Sequence, residues 1–201
     1  VPTAVQDGCI QIALIIITVI ANYRGLNDAA AVGVVEKVIS MLFLVPSSML
    51  ATVSAISAQN IGAGKPERAV RTLKYATAIT VAYGIAISVV VELTASSIIG
   101  LFTTDATVIV LGVQYIRSYI VDAIFAGVHF CFSGFFAACG RSYIGFIHNI
   151  IAITLVRVPG SYLASKMFPH TLFPMGIAAP AGSLLSVFIC LGFYAWLRRR
   201  S

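Results

Sequence analysis

Long apolar runs along the chain are separated by short polar breaks. The breaks are Arg24-Gly25-Leu26-Asn27-Asp28, Gln59 to Ala69, Thr103-Thr104-Asp105, Gly140-Arg141-Ser142 and Phe168 to Pro174. They leave six segments, at about 5–24, 29–59, 66–101, 105–139, 142–167 and 174–197. Crossing a bilayer takes ~20 apolar residues, and each segment is of that order or longer. The runs are continuous and do not alternate, which excludes lipid-facing barrel strands. The expected fold is therefore all-α: a polytopic membrane protein forming a six-transmembrane-helix bundle, with residues 1–201 as one transmembrane domain. Asp105 or Thr104 suits the N-cap of the fourth helix. Gly62, Gly64 and Pro66 are expected to end the second helix and start the third. Pro46, Pro159 beside Gly160, and Pro180 fall inside segments, where neighbouring helices can take up the carbonyls they free.

Composition supports the same reading. The chain is 59% hydrophobic and 10% charged, with a mean hydropathy of +0.98. A soluble domain carries about a quarter charged residues, so much of this surface must face lipid. The net charge of +6 lies at segment ends, as in membrane-protein loops, and not in a nucleic-acid patch. If segment ends alternate sides, Lys65, Arg68, Arg71, Lys74, Arg141, Arg198, Arg199 and Arg200 share one side, and Arg24 and Lys166 the other. The first side is expected to be cytoplasmic, with both chain ends there. The four cysteines form no C-x-x-C pair and read as small buried hydrophobes. The chain opens on Val1-Pro2-Thr3 without an initiator Met or a signal-peptide pattern. That start is expected of a piece of a longer protein.

Ionisable residues inside a span are costly and mark candidate function. Asp122 lies near the middle of the fourth segment. Tyr115, Ser118 and Tyr119 lie on one side of it at helical spacing, and His129 and Ser133 on the other. Such a stripe serves either a transport cavity or an interhelical hydrogen-bond network. Arg157 lies midway along the fifth segment. Counting from the turn at Arg141, its depth differs from that of Asp122 by about 4–5 Å, so the two are expected to be neighbours. Glu36 and Lys37 lie about two turns into the second segment, Glu92 in the third, and Gln6 and Asp7 open the first. Asp7 suits the positive end of a helix dipole. No nucleophile–base pair, metal-ligand cluster or nucleotide loop is visible, so an enzyme is not expected. The Gly62/Gly64 pair is not a dinucleotide fingerprint, because no strand precedes it.

The break at Gln59-Asn60-Ile61-Gly62-Ala63-Gly64-Lys65-Pro66-Glu67-Arg68-Ala69 resembles the Q-N-x-G-A-G-x-x-x-R-A loop of the multidrug and toxic compound extrusion (MATE) family. Ala29-Ala30-Ala31-Val32-Gly33, Pro46, the Gly140-Arg141 turn and Leu155-Val156-Arg157-Val158-Pro159 are also similar to that family, so the likeness covers essentially the whole chain. It implies one six-helix lobe, the C-terminal one, of a twelve-helix antiporter, with the N-terminal lobe absent here. It further implies exchange of small organic, cationic drugs for sodium ions or protons, no other cofactor, and a place in the cell (inner) membrane. In several relatives acidic residues in this lobe's first and fourth helices take part in cation coupling. Asp122 lies about two turns from that fourth-helix position, which is closer to Val128.

The substrate- or cation-binding candidates are Asp122, Arg157, Tyr119, His129, Glu36, Gln6 and Asp7. Gln59, Asn60, Gly62, Gly64 and Arg68 form the cytoplasmic loop motif, expected to be a connector that binds no substrate. Two rival readings stay open at this point. One is a lipid-linked oligosaccharide flippase of the same superfamily, with Arg117 and Arg157 as cavity cations. The other is an inactive truncated fragment.

Overall fold

The computed structural model describes residues 2–199, leaving aside the side chains of residues 2–7 and 9. The chain forms α1 (Pro2–Asn22), α2 (Leu26–Leu42), α3 (Leu44–Gly62), α4 (Pro66–Gly100), α5 (Ala106–Tyr119) and α6 (Asp122–Ala138). It continues as α7 (Ser142–Ala152), a π-turn over Ile153–Arg157, α8 (Val158–Met167) and α9 (Phe173–Arg198). Four stretches are long and apolar enough to cross a membrane: Leu26–Gly62, Pro66–Gly100, Ser142–Met167 and Phe173–Arg198. The bent pair α5–α6 makes a fifth, and α1 adds a shorter apolar stretch, Ile10–Asn22. These six rods agree with the expected helix bundle. Its outside is greasy, with Leu93 81% and Leu155 67% exposed, as a lipid-facing surface requires.

Two of the polar breaks are the same turn. Gly64 adopts φ +71° and Gly140 φ +72°, the left-handed region that glycine enters at no steric cost. Lys65 N–H bonds the Asn60 carbonyl at 2.9 Å and Gly64 N–H the Ile61 carbonyl at 3.0 Å. Arg141 N–H and Gly140 N–H repeat the pattern onto Phe136 and Ala137, at 2.8 and 3.0 Å. Each is a Schellman cap, and Pro66 then opens α4 where its missing N–H costs nothing. Gly62 differs from the expectation. It is the last residue of α3 and has no positive φ, so Gly64 alone makes the turn.

The spans are less straight than the apolar pattern implies. The second breaks at Phe43, between α2 and α3, because Pro46 has no N–H for the Leu42 carbonyl and its ring crowds that oxygen. The Tyr83 hydroxyl of α4 donates to the freed carbonyl at 2.9 Å. The fourth span, expected as one helix over 105–139, bends by 44° between α5 and α6. No proline causes this. The Ser88 hydroxyl of α4 donates to the Ile120 carbonyl at 3.2 Å. One turn earlier, Gly84 lets α4 come so close that a Cβ there would lie 2.8 Å from Ile124 Cα. A side chain inserted into the helix ladder is a known source of such kinks. In the fifth span the π-turn absorbs Pro159: Val158 N–H reaches five residues back, to the Ile153 carbonyl.

The interior has two apolar clusters. One holds Val32, Val35, Ile99, Tyr115, Ile116 and Ile120. The other holds Val53, Leu73, Phe132, Phe136 and Cys190. Along the fourth span, His129 falls between them, and Asp122 lies at the edge of the first, beside Ala123. Close backbone approaches fix the packing. A Cβ on Gly134 would overlap the Leu50 carbonyl oxygen and lie 3.2 Å from Ser54 N, so α3 and α6 touch directly.

Arg24 ties the opposite end of the bundle together. Its Nε lies 2.6 Å from Asp28 Oδ2. Its Nη1 donates to the Ser165 and Phe168 carbonyls, and its Nη2 to those of Pro169 and Thr171, at 3.0–3.4 Å. Gln114 Oε1 holds the same loop by accepting from Thr171 Oγ1 and Leu172 N. Asp105 caps α5 as expected, with Oδ1 accepting from Thr107 N and Val108 N at 2.8 and 3.3 Å.

Candidate functional site

A cavity of about 240 Å³ opens among α1, α2, the start of α3, α5, α6, α7, the π-turn and α9. Glu36, Tyr119, Asp122, His129 and Arg157 line it, so five of the seven sequence candidates come together. The side chains of the other two, Gln6 and Asp7, lie outside the described residues.

The bends set this geometry. The 44° bend makes Asp122 the first residue of α6, and a carboxylate is favoured at the positive end of a helix dipole. Half-helix ends at mid-membrane are a recurring way to build a polar site in lipid. The bend also splits the expected stripe. Tyr119, Asp122 and His129 reach the cavity. Tyr115 is fully buried and meets Tyr119 edge-on at 5.7 Å. Ser118 turns back to the Tyr115 carbonyl at 3.0 Å, and Ser133 to His148 Nε2 at 2.9 Å. The stripe is therefore part cavity wall and part interhelical packing.

Arg157 ends the π-turn and points at α6. Its Nη2 lies 3.4 Å from Asp122 Oδ2, which realises the neighbour relation expected from sequence depth. The same nitrogen donates to the Tyr119 hydroxyl, and the guanidinium lies 5.5 Å from the Tyr119 ring centre. Asp122 is 1% exposed. Across the cavity Thr18 Oγ1 of α1 donates to Glu36 Oε2 at 3.1 Å. Lys37, next in sequence, is exposed and does not line the cavity.

The network is incomplete. Glu36 Oε1, His129 Nδ1, Asn149 Nδ2 and Arg157 Nε are all buried without a hydrogen-bond partner, whereas the Asp122 carboxyl also meets the Ser183 hydroxyl of α9. Orphaned polar atoms cost roughly 1–3 kcal/mol each, more when charged. With all three groups ionised, two carboxylates face one guanidinium, which leaves one negative charge in excess.

Other lining residues escaped the sequence reading. Gln11, Asn149 and Ser183 also face the cavity. Asn149 carried a readable signal, as a polar residue inside an apolar run. Thr18 did not, because a threonine in a span most often bonds its own helix, as Thr18 also does to the Leu14 carbonyl at 3.0 Å. Arg117 lies away from the cavity, half exposed and 3.3 Å from Glu92.

The fold and this cavity define a class: a polytopic helical membrane protein with a charged pocket at mid-span. Comparison with known proteins is specific. The MatE family model matches residues 2–163, and the chain belongs to that family, whose members are transporters and not enzymes. A probable multidrug resistance protein, YoeA, of Bacillus subtilis (strain 168) is 22% identical over 200 residues, covering 100% of this chain and 43% of its own length. Multidrug and toxin extrusion protein 1 of Homo sapiens is 26% identical over 176 residues, covering 88% of this chain and 30% of its own. Among solved structures, a mutant of the Vibrio cholerae MATE transporter VcmN superposes with a TM-score of 0.91 at 14% identity, over 100% of this chain and 45% of that one. An outward-facing multidrug resistance MATE transporter superposes with a TM-score of 0.88 at 18% identity, over 99% and 44%. The chain thus spans less than half the length of the relatives it matches.

Proposed function

We propose that this chain is the C-terminal six-helix lobe of a multidrug antiporter, and that its cavity holds the coupling cation. The observation that carries the reading is the pairing of Glu36 and Asp122 against the single guanidinium of Arg157 in one buried pocket. Sodium or a proton would neutralise the excess charge there. Drug and cation would then bias a shared equilibrium between two lobe arrangements, because coupling requires that each binds the two states with different affinity. Substrates would be small organic cations, bound between this lobe and an N-terminal partner lobe. The bends at Phe43 and at Ile120-Val121 are the places where the spans can flex. The end carrying Gly64 and Gly140 would face the cytoplasm, since most of the Lys and Arg residues at span ends gather there. The loop motif would act as a connector: its backbone closes the Gly64 cap, and Asn60 Nδ2 donates to the Ile56 carbonyl of its own helix. A lipid-linked oligosaccharide flippase would need several cavity cations, and Arg117 is not one of them.

The test is efflux of a cationic dye by cells expressing the complete gene, under imposed sodium and proton gradients. Asp122→Asn should abolish gradient-driven efflux while the protein still reaches the membrane. Undiminished efflux in that variant would remove the cavity from coupling.

A further inference from the structure

Arg157 has a second consequence for the site, and it rests on the coupling reading above. We propose that Arg157 is a built-in counter-cation: in the cation-free lobe it occupies Asp122, and the coupling ion binds by displacing it.

Four observations meet on this residue. The guanidinium makes only a long contact with the carboxylate, 3.4 Å from Nη2 to Oδ2, and leaves its own Nε buried and unpartnered. An Arg–carboxylate pair at its strongest is bidentate and shorter, so this one is poised to be exchanged. The Tyr119 hydroxyl accepts from the same nitrogen and gives the guanidinium a second resting place when Asp122 is taken. The side chain hangs from a π-turn, Ile153–Arg157, which Val158 N–H closes onto the Ile153 carbonyl. Single π-turns inside α-helices recur at functional sites, and a return to α-register would rotate Arg157 about its axis. Finally, the turn packs against α9 at Gly182, where a Cβ would lie 3.6 Å from Arg157 Cβ. A Cβ at that distance would make ordinary contact, and the glycine presents no side chain to the turn.

The charged and titratable groups around Arg157 are Glu36 from α2, Tyr115 and Tyr119 from α5, and Asp122 and His129 from α6. Behind His129 lies His148 of α7, with ring centres 5.5 Å apart. Arg157 is the one fixed positive charge among them. It lowers the affinity of the pocket for any other cation, and so returns the lobe to a cation-free state after each release.

The experiment is cation binding to the purified full-length transporter, by sodium titration and separately by proton uptake. It compares wild type with Arg157→Gln, Arg157→Met, Arg157→Lys and Asp122→Asn. Removing the competing charge at this distance should tighten the apparent Kd for the coupling ion roughly tenfold or more, and slow efflux turnover by retarding release. Either neutral variant that folds suffices, Met being the better tolerated in an apolar setting. Arg157→Lys should stay near wild type. Binding by Arg157→Gln or Arg157→Met that is equal to or weaker than wild type overturns the proposal, because a residue that only supports the fold would give that result. Loss of binding in Asp122→Asn alongside unchanged Arg157 variants refutes the counter-cation and spares the site. Normal binding in Asp122→Asn refutes the site itself, and the counter-cation with it.

Discussion

Pro46 and Tyr83 make a coupled pair that can be measured. Pro46 cannot bond the Leu42 carbonyl, and the Tyr83 hydroxyl fills the vacancy from α4 at 2.9 Å. Tyr83→Phe leaves that carbonyl without a donor in the bundle. A net hydrogen bond contributes ~1 kcal/mol, and interhelical bonds in lipid average ~0.6 and reach ~1.7 kcal/mol. The expected loss is therefore about 1 kcal/mol. Pro46→Ala restores an N–H that can take the same carbonyl, so Tyr83→Phe in that background should cost under ~0.5 kcal/mol, little more than the lost tyrosine contact. The double-mutant cycle should then show a coupling of ~0.5–1 kcal/mol, above the ~0.3–0.5 kcal/mol scatter of independent sites. Reversible unfolding in mixed micelles of the full-length protein gives all four values. Additive effects would refute the reasoning, since they would mean that the proline and the tyrosine do not share one carbonyl.

Three further outcomes are expected. Gly134→Val should destabilise by about 3 kcal/mol or more, because it meets the α3 backbone at Leu50 and not a movable side chain; thermal melting in detergent reads this. In the loop motif, Gly64→Ala should cost about 1–2 kcal/mol through its left-handed φ of +71°, while Gly62→Ala, helical and with open space around it, should be neutral or stabilising by up to ~1 kcal/mol. Arg24→Met should free the Phe168–Leu172 loop, since it removes all four carbonyl contacts of the guanidinium; limited proteolysis or faster amide exchange confined to that loop is the readout, and unchanged protection would show that Gln114 alone holds it.

The bundle and the pairing of its charges were legible for simple reasons. Continuous apolar runs have one structural meaning in lipid, and a similar distance from the Arg141 turn placed Asp122 beside Arg157. What was not legible depends on neighbours. The bend at Ile120-Val121 has no Pro or Gly at the break itself; it follows from Ser88 and Gly84, more than thirty residues earlier in sequence. Pro46 announced a bend, but its effect fell at Phe43, since proline removes the bond to the residue four before it. Arg24 read as a loop charge because its carbonyl partners come from a loop about 140 residues away. Glu36 was a candidate from its place in a span, yet only the fold shows that it faces the same cavity as Asp122. Gly62, prominent in the motif, proved incidental to the turn that Gly64 makes.

On the proposed mechanism, Asp122 and Glu36 hold the ion that drug binding expels. It is tested most directly by adding a cationic drug to the purified full-length transporter and measuring the sodium or protons released. Wild type should release cation on drug addition, Glu36→Gln should release less, and Asp122→Asn should release none while still binding drug. Release from Asp122→Asn at the wild-type level would mean that the ion is held elsewhere.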